Sequence, residues 1–257
     1  MTLLKVENVT KRFSGLTAVN ECSFTVKSGT VHALIGPNGA GKTTMFNMIG
    51  GAFPPTSGNI VFDGTQLAGQ PPYKRNRLGI ARTFQLISLF NEMNVIENVM
   101  AGSFCRTKAG LFASLFSLPN ATREQALTRK KGREILEFVG LDAGPHVEEN
   151  LARNLSYGEQ RILEIARALA SDPKLLLLDE PAAGMNPTEK VRLAAMIRRV
   201  RERGVTVLIV EHDMRLIMDC ADIITVLDHG SRIAEGSPDE IRSHPKVIEA
   251  YLGKGAA

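Results

Sequence analysis

The chain has no tryptophan, three tyrosines and three cysteines, and each scarcity narrows what it can be. The cysteines (Cys22, Cys105 and Cys220) are scattered, with neither metal-ligand spacing nor a compact disulfide framework. Free, buried thiols in a reducing compartment are expected. Long apolar runs are missing as well. The central aliphatic run, Leu175 to Leu178, is far below the roughly 18 residues a membrane-spanning helix needs. The stretch Met1-Thr2-Leu3-Leu4-Lys5-Val6-Glu7 has no basic segment leading into an apolar one and a small-residue cleavage site. A cytosolic protein is therefore expected, with any membrane role exerted through partner proteins. Excess charge of one sign is scarce too, at net +4, which argues only weakly for contact with acidic surfaces. The cluster Arg198-Arg199-Val200-Arg201-Glu202-Arg203 reads as a solvated face, and no nucleic-acid partner is expected. No internal repeat is visible. With 44% hydrophobic and 23% charged residues, the composition is that of a globular protein with one substantial core, or a core with a sizeable insertion.

What the chain does have is Gly36-Pro37-Asn38-Gly39-Ala40-Gly41-Lys42-Thr43-Thr44, directly after the apolar run Val31 to Ile35. A strand feeding a glycine-rich loop that opens a helix is the layout of a polyphosphate site. Glycines let successive backbone N–H groups turn inward without a Cβ in the way. The helix starting near Lys42 adds its positive dipole end and unpaired N–H groups. Lys42 then reaches the β- and γ-phosphates, and the Thr43 hydroxyl can ligate Mg²⁺. A glycine-rich turn with an incidental lysine is the bland alternative, and the agreement of strand, loop and helix outweighs it. The chain is expected to bind a nucleoside triphosphate.

Strands dominate the first third. Cys22, Phe24 and Val26 alternate with Ser23 and Thr25, Ser28-Gly29 makes a turn, and Asn59 to Gly64 reads as a short strand ending in an Asp63-Gly64 turn. Leu78 to Phe84 reads as a further strand. From Asn91 to about Asn154 helix-like segments, Val95 to Ala101 and Arg123 to Val139, are separated by Gly102, Gly110 and Pro119. This is expected to be a mainly helical insertion, in which Ser103 to Asn120 is a locally packed helix or a partner-facing loop. Beyond Gly158 helices and strands alternate. Leu175 to Leu178 is apolar throughout, as in the middle of a parallel sheet covered on both faces. Asn186-Pro187-Thr188-Glu189 starts a helix that Gly204 ends, Val205 to Val210 is the next strand, and Pro238 to Leu252 gives one or two helices. The alternation predicts an α/β fold.

Asp179 follows Leu175 to Leu178 and supplies a carboxylate at a strand tip to hold Mg²⁺. Beside it, Glu180 is placed to polarise a water for attack on the γ-phosphate. His212, just past Val205 to Val210, can contact the γ-phosphate or orient that water, although a lone histidine is more often structural. Gln85 can ligate Mg²⁺ or the attacking water. Leu155-Ser156-Tyr157-Gly158-Glu159-Gln160 precedes a helix from Arg161 to Ala170, so Ser156 and the Gly158 amide offer a second anion-binding helix start. One chain has little use for two phosphate cradles unless the second serves a neighbour's nucleotide.

With these six elements in this order, the sequence resembles the ATP-binding-cassette family over nearly its whole length. Gly36 to Thr43 is similar to Walker A, Leu175 to Glu180 to Walker B, Leu155 to Gln160 to the signature, Gln85 to the Q-loop and His212 to the switch histidine. Phe13, in Lys11-Arg12-Phe13, resembles the aromatic that stacks on adenine. The resemblance implies a P-loop NTPase (RecA-like) parallel core over about 1–90 and 155–257, with an N-terminal antiparallel β subdomain and a helical family-specific insertion over about 91–154, all in one nucleotide-binding domain. It also implies an Mg²⁺-dependent ATPase in which two cassettes meet head to tail across ATP. Partners would be membrane permease subunits, a second ATPase subunit and, indirectly, a solute-binding protein, with the chain on the inner face of the cell membrane. Ala81 to Gln85, Leu89-Phe90, Val95 to Val99, Leu155 to Gly158 and Pro181 to Pro187 are similar to the ATPases of Liv-type branched-chain amino-acid importers. Importers of another polar solute such as an amide or urea, soluble cassette ATPases outside transport, and a non-hydrolysing regulator are the competing readings. Two departures stand out: Asn186 replaces the usual acid after Ala183-Gly184-Met185, and Tyr157 and Glu159 replace the signature's Gly and Gln.

Overall fold

The computed structural model describes residues 1–104, 119–141 and 144–252. The stretch 105–118, which holds Cys105 and most of the expected partner-facing loop or local helix, lies outside the described residues. The chain divides into two compact units, Met1–Arg75 with Lys174–Ala257, and Asn76–Pro173.

In the first unit, β1 (Thr2–Phe13) and β2 (Leu16–Lys27) pair antiparallel, and β1 also pairs with β4 (Ser57–Phe62), which turns through Asp63-Gly64 into β5 (Thr65–Gln66). The period of two holds along β2: Cys22, Phe24 and Val26 are buried while Thr25 and Lys27 face out. Burial pushes the Cys22 and Cys220 thiols up to about 12, so both stay protonated and inert. A second sheet carries β3 (Val31–Ile35), β7 (Leu175–Asp179), β8 (Thr206–Val210), β9 (Ile223–Asp228) and β10 (Ser231–Gly236) in the order β10-β9-β3-β8-β7. All but β10 run parallel. The five-residue strands β3, β7 and β8 are buried at every position, which explains why they are apolar apart from His32, Asp179 and Thr206. Parallel strands bring their C-terminal ends to one edge, and the residues that leave that edge are Gly36, Glu180, Glu211 and His229.

The helix α1 (Lys42–Gly50) follows the loop after β3. Its last carbonyls are capped from a distance. The buried Arg75, in α2 (Pro72–Leu78), donates to the Met48 carbonyl and to Ile49 O at 2.7 Å, and also to Leu67 O at 2.8 Å. A cation at a helix C-terminus also opposes the negative dipole end. The helix α7 (Pro187–Glu202) starts as expected from Asn186: its Oδ1 accepts from Glu189 N at 3.0 Å and Glu189 Oε2 accepts from Asn186 N at 2.8 Å. The segment after β10 forms two helices, Pro238–Arg242 and Pro245–Leu252.

His32, in mid-β3, is wholly buried, and its Nε2 lies 2.8 Å from Thr225 Oγ1, which donates its single proton to Glu235 Oε2 at 2.8 Å. The hydroxyl can then only accept from histidine, which assigns the proton to Nε2 and leaves Nδ1 bare, without a hydrogen-bond partner among the described residues. Burial lowers the His32 pKa from 6.5 to about 4, with Glu235 opposing. Because the unfolded chain takes up this proton near pH 6.5 and the folded one resists until about pH 4, the stabilisation is complete above pH 6.5 and drains away as pH falls to 4. The change amounts to about 3 kcal/mol. In urea unfolding followed between pH 7 and pH 4, wild type is expected to lose more stability than His32→Asn, by about that amount.

The second unit holds β6 (Ile80–Arg82), α3 (Val95–Gly102), α4 (Pro119–Val139), α5 (Pro145–Glu148) and α6 (Tyr157–Leu169). Two expectations change. The expected strand Leu78 to Phe84 shrinks to Ile80–Arg82, because Leu78 ends α2 and Gly79, at φ 109°, breaks the chain direction before it. The helix expected from Arg161 begins at Tyr157, because Ser156 caps it. Asn98, buried in α3, accepts from Phe90 N at 2.9 Å and donates to Phe90 O at 3.0 Å, so the segment leading into α3 is fastened to the helix it precedes.

Candidate nucleotide site

The loop between β3 and α1 exists only with glycine at two positions. A Cβ on Gly36 (φ 149°) would stand 2.1 Å from Leu227 O, and one on Gly41 (φ 95°) would stand 2.4 Å from Ala18 O. The backbone is thereby pressed between β2 and the end of β9. Between these glycines Pro37 is half-buried, Asn38 and Gly39 are exposed, and Ala40, buried, closes a turn through its N–H to Pro37 O at 3.2 Å. The buried Lys42 donates to Gly36 O at 2.8 Å and Pro37 O at 2.9 Å, so its ammonium sits under the loop. Burial lowers the Lys42 pKa, and the Glu180 carboxylate opposes that shift across the site. Thr43 is exposed and Thr44 half-buried in the first turn of α1.

Glu180 follows Asp179, which is buried at the end of β7. It adopts φ 46°, the left-handed region, which costs a non-glycine residue about 1–3 kcal/mol. Its N–H donates to Val210 O at 2.9 Å, which locks that backbone against the end of β8. The Glu180 carboxylate lies within electrostatic reach of the Lys42 ammonium. His212 is two-thirds exposed in its side chain, with Nδ1 3.8 Å from Glu211 Oε2.

Sequence reasoning passed over Glu211. Its fully buried carboxylate accepts from Ala182 N at 2.7 Å, His212 N at 2.9 Å and Asp213 N at 3.2 Å. One side chain thus ties the loop after Glu180 to the backbone of His212. Its signal in the sequence is an acid directly after an apolar strand. Tyr251 was also missed. Its phenol, pushed up by burial, accepts from the Gly36 N–H, so the last helix reaches the phosphate loop. Asp213 caps the helix Met214–Cys220, and the Lys190 ammonium at 2.7 Å holds its carboxyl below the usual range.

Phe13 ends β1 with its ring 42% exposed, edge-on to Phe53 at 5.3 Å, and Lys11 Nζ stands 5.0 and 4.7 Å from the two ring centres. An aromatic pair with one ring in reach of solvent is a platform for a flat heterocycle. The Thr43 hydroxyl and Asp179 carboxylate, on α1 and the β7 that packs against it, are hard oxygen donors. Few protein ligands of that kind suit Mg²⁺, which keeps waters and takes phosphate oxygens for the rest.

The first unit therefore holds Phe13, the Gly36 to Thr44 loop, Asp179, Glu180 and His212. Gln85, Ser156 and Gly158 belong to the second. There Gln85 is exposed, and Ser156 is exposed at the start of α6. Ser156 Oγ accepts from Glu159 N at 3.3 Å and Glu159 Oε2 accepts from Ser156 N at 2.8 Å. Glu159, one of the two departures in this motif, thus completes a capping box. The hydroxyl, already an acceptor, keeps its proton for an outside anion, beside the amides of a 13-residue helix.

The sequence pattern of the family described as "ABC transporter" matches residues 19–183, and that of "Branched-chain amino acid ATP-binding cassette transporter" matches residues 231–257. The chain is 44% identical over 253 residues, 98% of each chain, to the high-affinity branched-chain amino acid transport ATP-binding protein LivG of Salmonella typhimurium, and 43% identical with the same coverage to BraF of Pseudomonas aeruginosa. It is 36% identical over 254 residues to the lipopolysaccharide export system ATP-binding protein LptB of Haemophilus influenzae, covering 99% of this chain and 98% of that one. Among solved structures, a nucleotide-free ATP-binding cassette from an ABC transporter matches with TM-score 0.84 and 33% identity over 99% of this chain and 100% of that one. The ADP conformation of such a cassette matches equally.

Proposed function

This chain belongs to the ABC transporter family and is one of its ATPases, and we propose that it powers the import of branched-chain amino acids from the cytoplasmic face of the membrane. The observation that carries the catalytic part is the strained Glu180 fixed beside Lys42 at the edge where β3, β7 and β8 end. In this reading the loop amides from Asn38 to Thr44 cradle the phosphates, Lys42 binds the β- and γ-phosphoryl oxygens, and Phe13 stacks on adenine. Thr43, Asp179 and Gln85 are the residues that would hold Mg²⁺, and the ion would supply charge neutralisation for the phosphates. Glu180 takes the proton of the attacking water, and His212 orients that water or contacts the γ-phosphate.

Ser156 and Gly158 close over the γ-phosphate held by a second cassette, either a copy of this chain or a related subunit. Closure favours ATP over ADP, so hydrolysis reopens the pair, and differential binding becomes movement. The movement needs a handle on the membrane subunits. A 350 Å³ groove in the second unit, lined by Arg82, Leu89, Phe90, Glu164 and Arg167 among others, lies beside exposed Phe84, Leu86 and Met93. Exposed apolar side chains in one segment mark an interaction surface, and a cytoplasmic helix of a permease is the proposed occupant. Among the described residues no helix is long and apolar enough to cross a membrane, which suits attachment through such subunits. A solute-binding protein would act at a distance, through the permease.

The cargo assignment rests on the match over residues 231–257 and on the LivG and BraF similarity. The LptB similarity is a reminder that cassettes of this length drive other cargoes. The test is ATP turnover by the chain reconstituted with candidate permease subunits and partner ATPase in lipid vesicles. Stimulation by binding protein loaded with leucine, isoleucine or valine supports the proposal. Stimulation by an amide or urea instead would reassign the cargo, and turnover indifferent to every permease would end the transport reading.

A further inference from the structure

Arg161 lies five residues into the helix that Ser156 caps, and its side chain has no exposed surface. A guanidinium in such a place has to spend its donors well. Nη1 donates to Phe84 O at 2.7 Å and to Glu164 Oε2 at 2.9 Å; Nη2 donates to Gln85 O at 2.7 Å and to the Tyr157 phenol at 3.4 Å. Glu164, equally buried, accepts from Phe84 N at 3.3 Å with its other oxygen. The Tyr157 ring lies over the guanidinium at 6.0 Å. Two consecutive peptide units at Gln85 are thereby gripped by one ion pair on α6, and the tyrosine that departs from the usual signature is part of the grip.

A buried ion pair is a poor stabiliser compared with apolar side chains of the same volume. Its distinctive capacity is geometric: a planar fork fixes two carbonyls at once, which a lysine ammonium on a flexible stem does not. Gln85 and Ser156 have different customers in the reading above, since one serves the chain's own nucleotide and the other the partner's. We propose that Arg161, oriented by Glu164, is a positioning residue that makes the Gln85 segment and the Ser156 end of α6 move as one body, so that what is bound at one ATP site sets the geometry offered to the other. The proposal rests on the two-site reading and adds the element that couples its sites.

The test compares wild type with Arg161→Lys and with the double variant Arg161→Met/Glu164→Met, which removes the pair without stranding a buried carboxylate. ATP turnover is measured against ATP concentration, and ATP affinity separately on the isolated chain. Hydrogen exchange is followed at residues 84–86. Both variants are expected to lower kcat by roughly tenfold with KM changed by less than about threefold. Their Hill coefficient should fall toward 1, and exchange at 84–86 should quicken while α6 stays protected. Wild-type kcat and cooperativity in Arg161→Lys would overturn the proposal, and so would a loss of kcat matched by an equal loss of ATP affinity. Glu180→Gln separates the two levels: turnover surviving there defeats the hydrolysis reading itself, whereas unchanged cooperativity in the Arg161 variants defeats only the coupling.

Discussion

Glu180→Gln should bind ATP as tightly as wild type and hydrolyse it some 10²–10⁴ times more slowly, the range a positioned general base contributes. That corresponds to about 3–5 kcal/mol of lost transition-state stabilisation. The amide has the carboxylate's shape, so the backbone at φ 46° and the bond from Glu180 N to Val210 O stay in place. The phosphate-facing groups, Lys42 above all, are untouched. What disappears is the capacity to accept a proton and the negative charge that opposes the burial shift on Lys42. Affinity is therefore expected to hold or rise slightly while kcat collapses. The measurement is paired: nucleotide titration on the isolated chain, and phosphate release on the assembled transporter. Near-normal release would show that the water is activated by another group, and His212 would be the next to examine.

The placement of Glu180 shows what could be read from the chain and what could not. An unbroken apolar run followed by Asp179-Glu180 is visible as a buried strand ending in two acids, because a parallel strand covered on both faces favours apolar side chains along its length. The glycine loop is visible for a similar reason, since Gly36 and Gly41 are the residues that fit where they stand. The helix start at Asn186 follows from cap chemistry, which is local. Long-range ties are not local and leave no periodic trace. Glu211 bonds to Ala182 across 29 positions, and Arg161 to Phe84 across 77. Each looks in the sequence like an ordinary charged residue near a motif. Arg75 capping the end of α1 is another such case. Of the two departures in the signature, Tyr157 contacts Arg161 and Glu159 completes a capping box. The strand expected over Leu78 to Phe84 failed because Gly79 separates a helix end from three extended residues, and its apolar positions fit either state.

Ser156→Arg is expected to leave ATP binding to the isolated chain intact and to cut turnover by about 10²–10³, the cost of deleting one preorganised donor to transition-state charge. Two effects combine. The arginine cannot accept from Glu159 N, so the capping box opens at about 1 kcal/mol, which frays the first turn of α6 without unfolding it. Its bulk also fills the space in which a phosphate would meet the helix start. The loop that binds the chain's own nucleotide contains none of these atoms. Where two copies of this chain pair, the stronger version of the test mixes Ser156→Arg with Glu180→Gln. If Ser156 serves the partner's nucleotide, a mixed pair holds one site built from an intact Glu180 and an intact Ser156, and an equal mixture recovers up to about a quarter of wild-type turnover. If Ser156 served its own nucleotide, each chain would spoil its own site and the mixture would stay as inactive as either variant alone. Recovery of turnover from two inactive proteins is a result that head-to-tail sharing gives and self-contained sites do not.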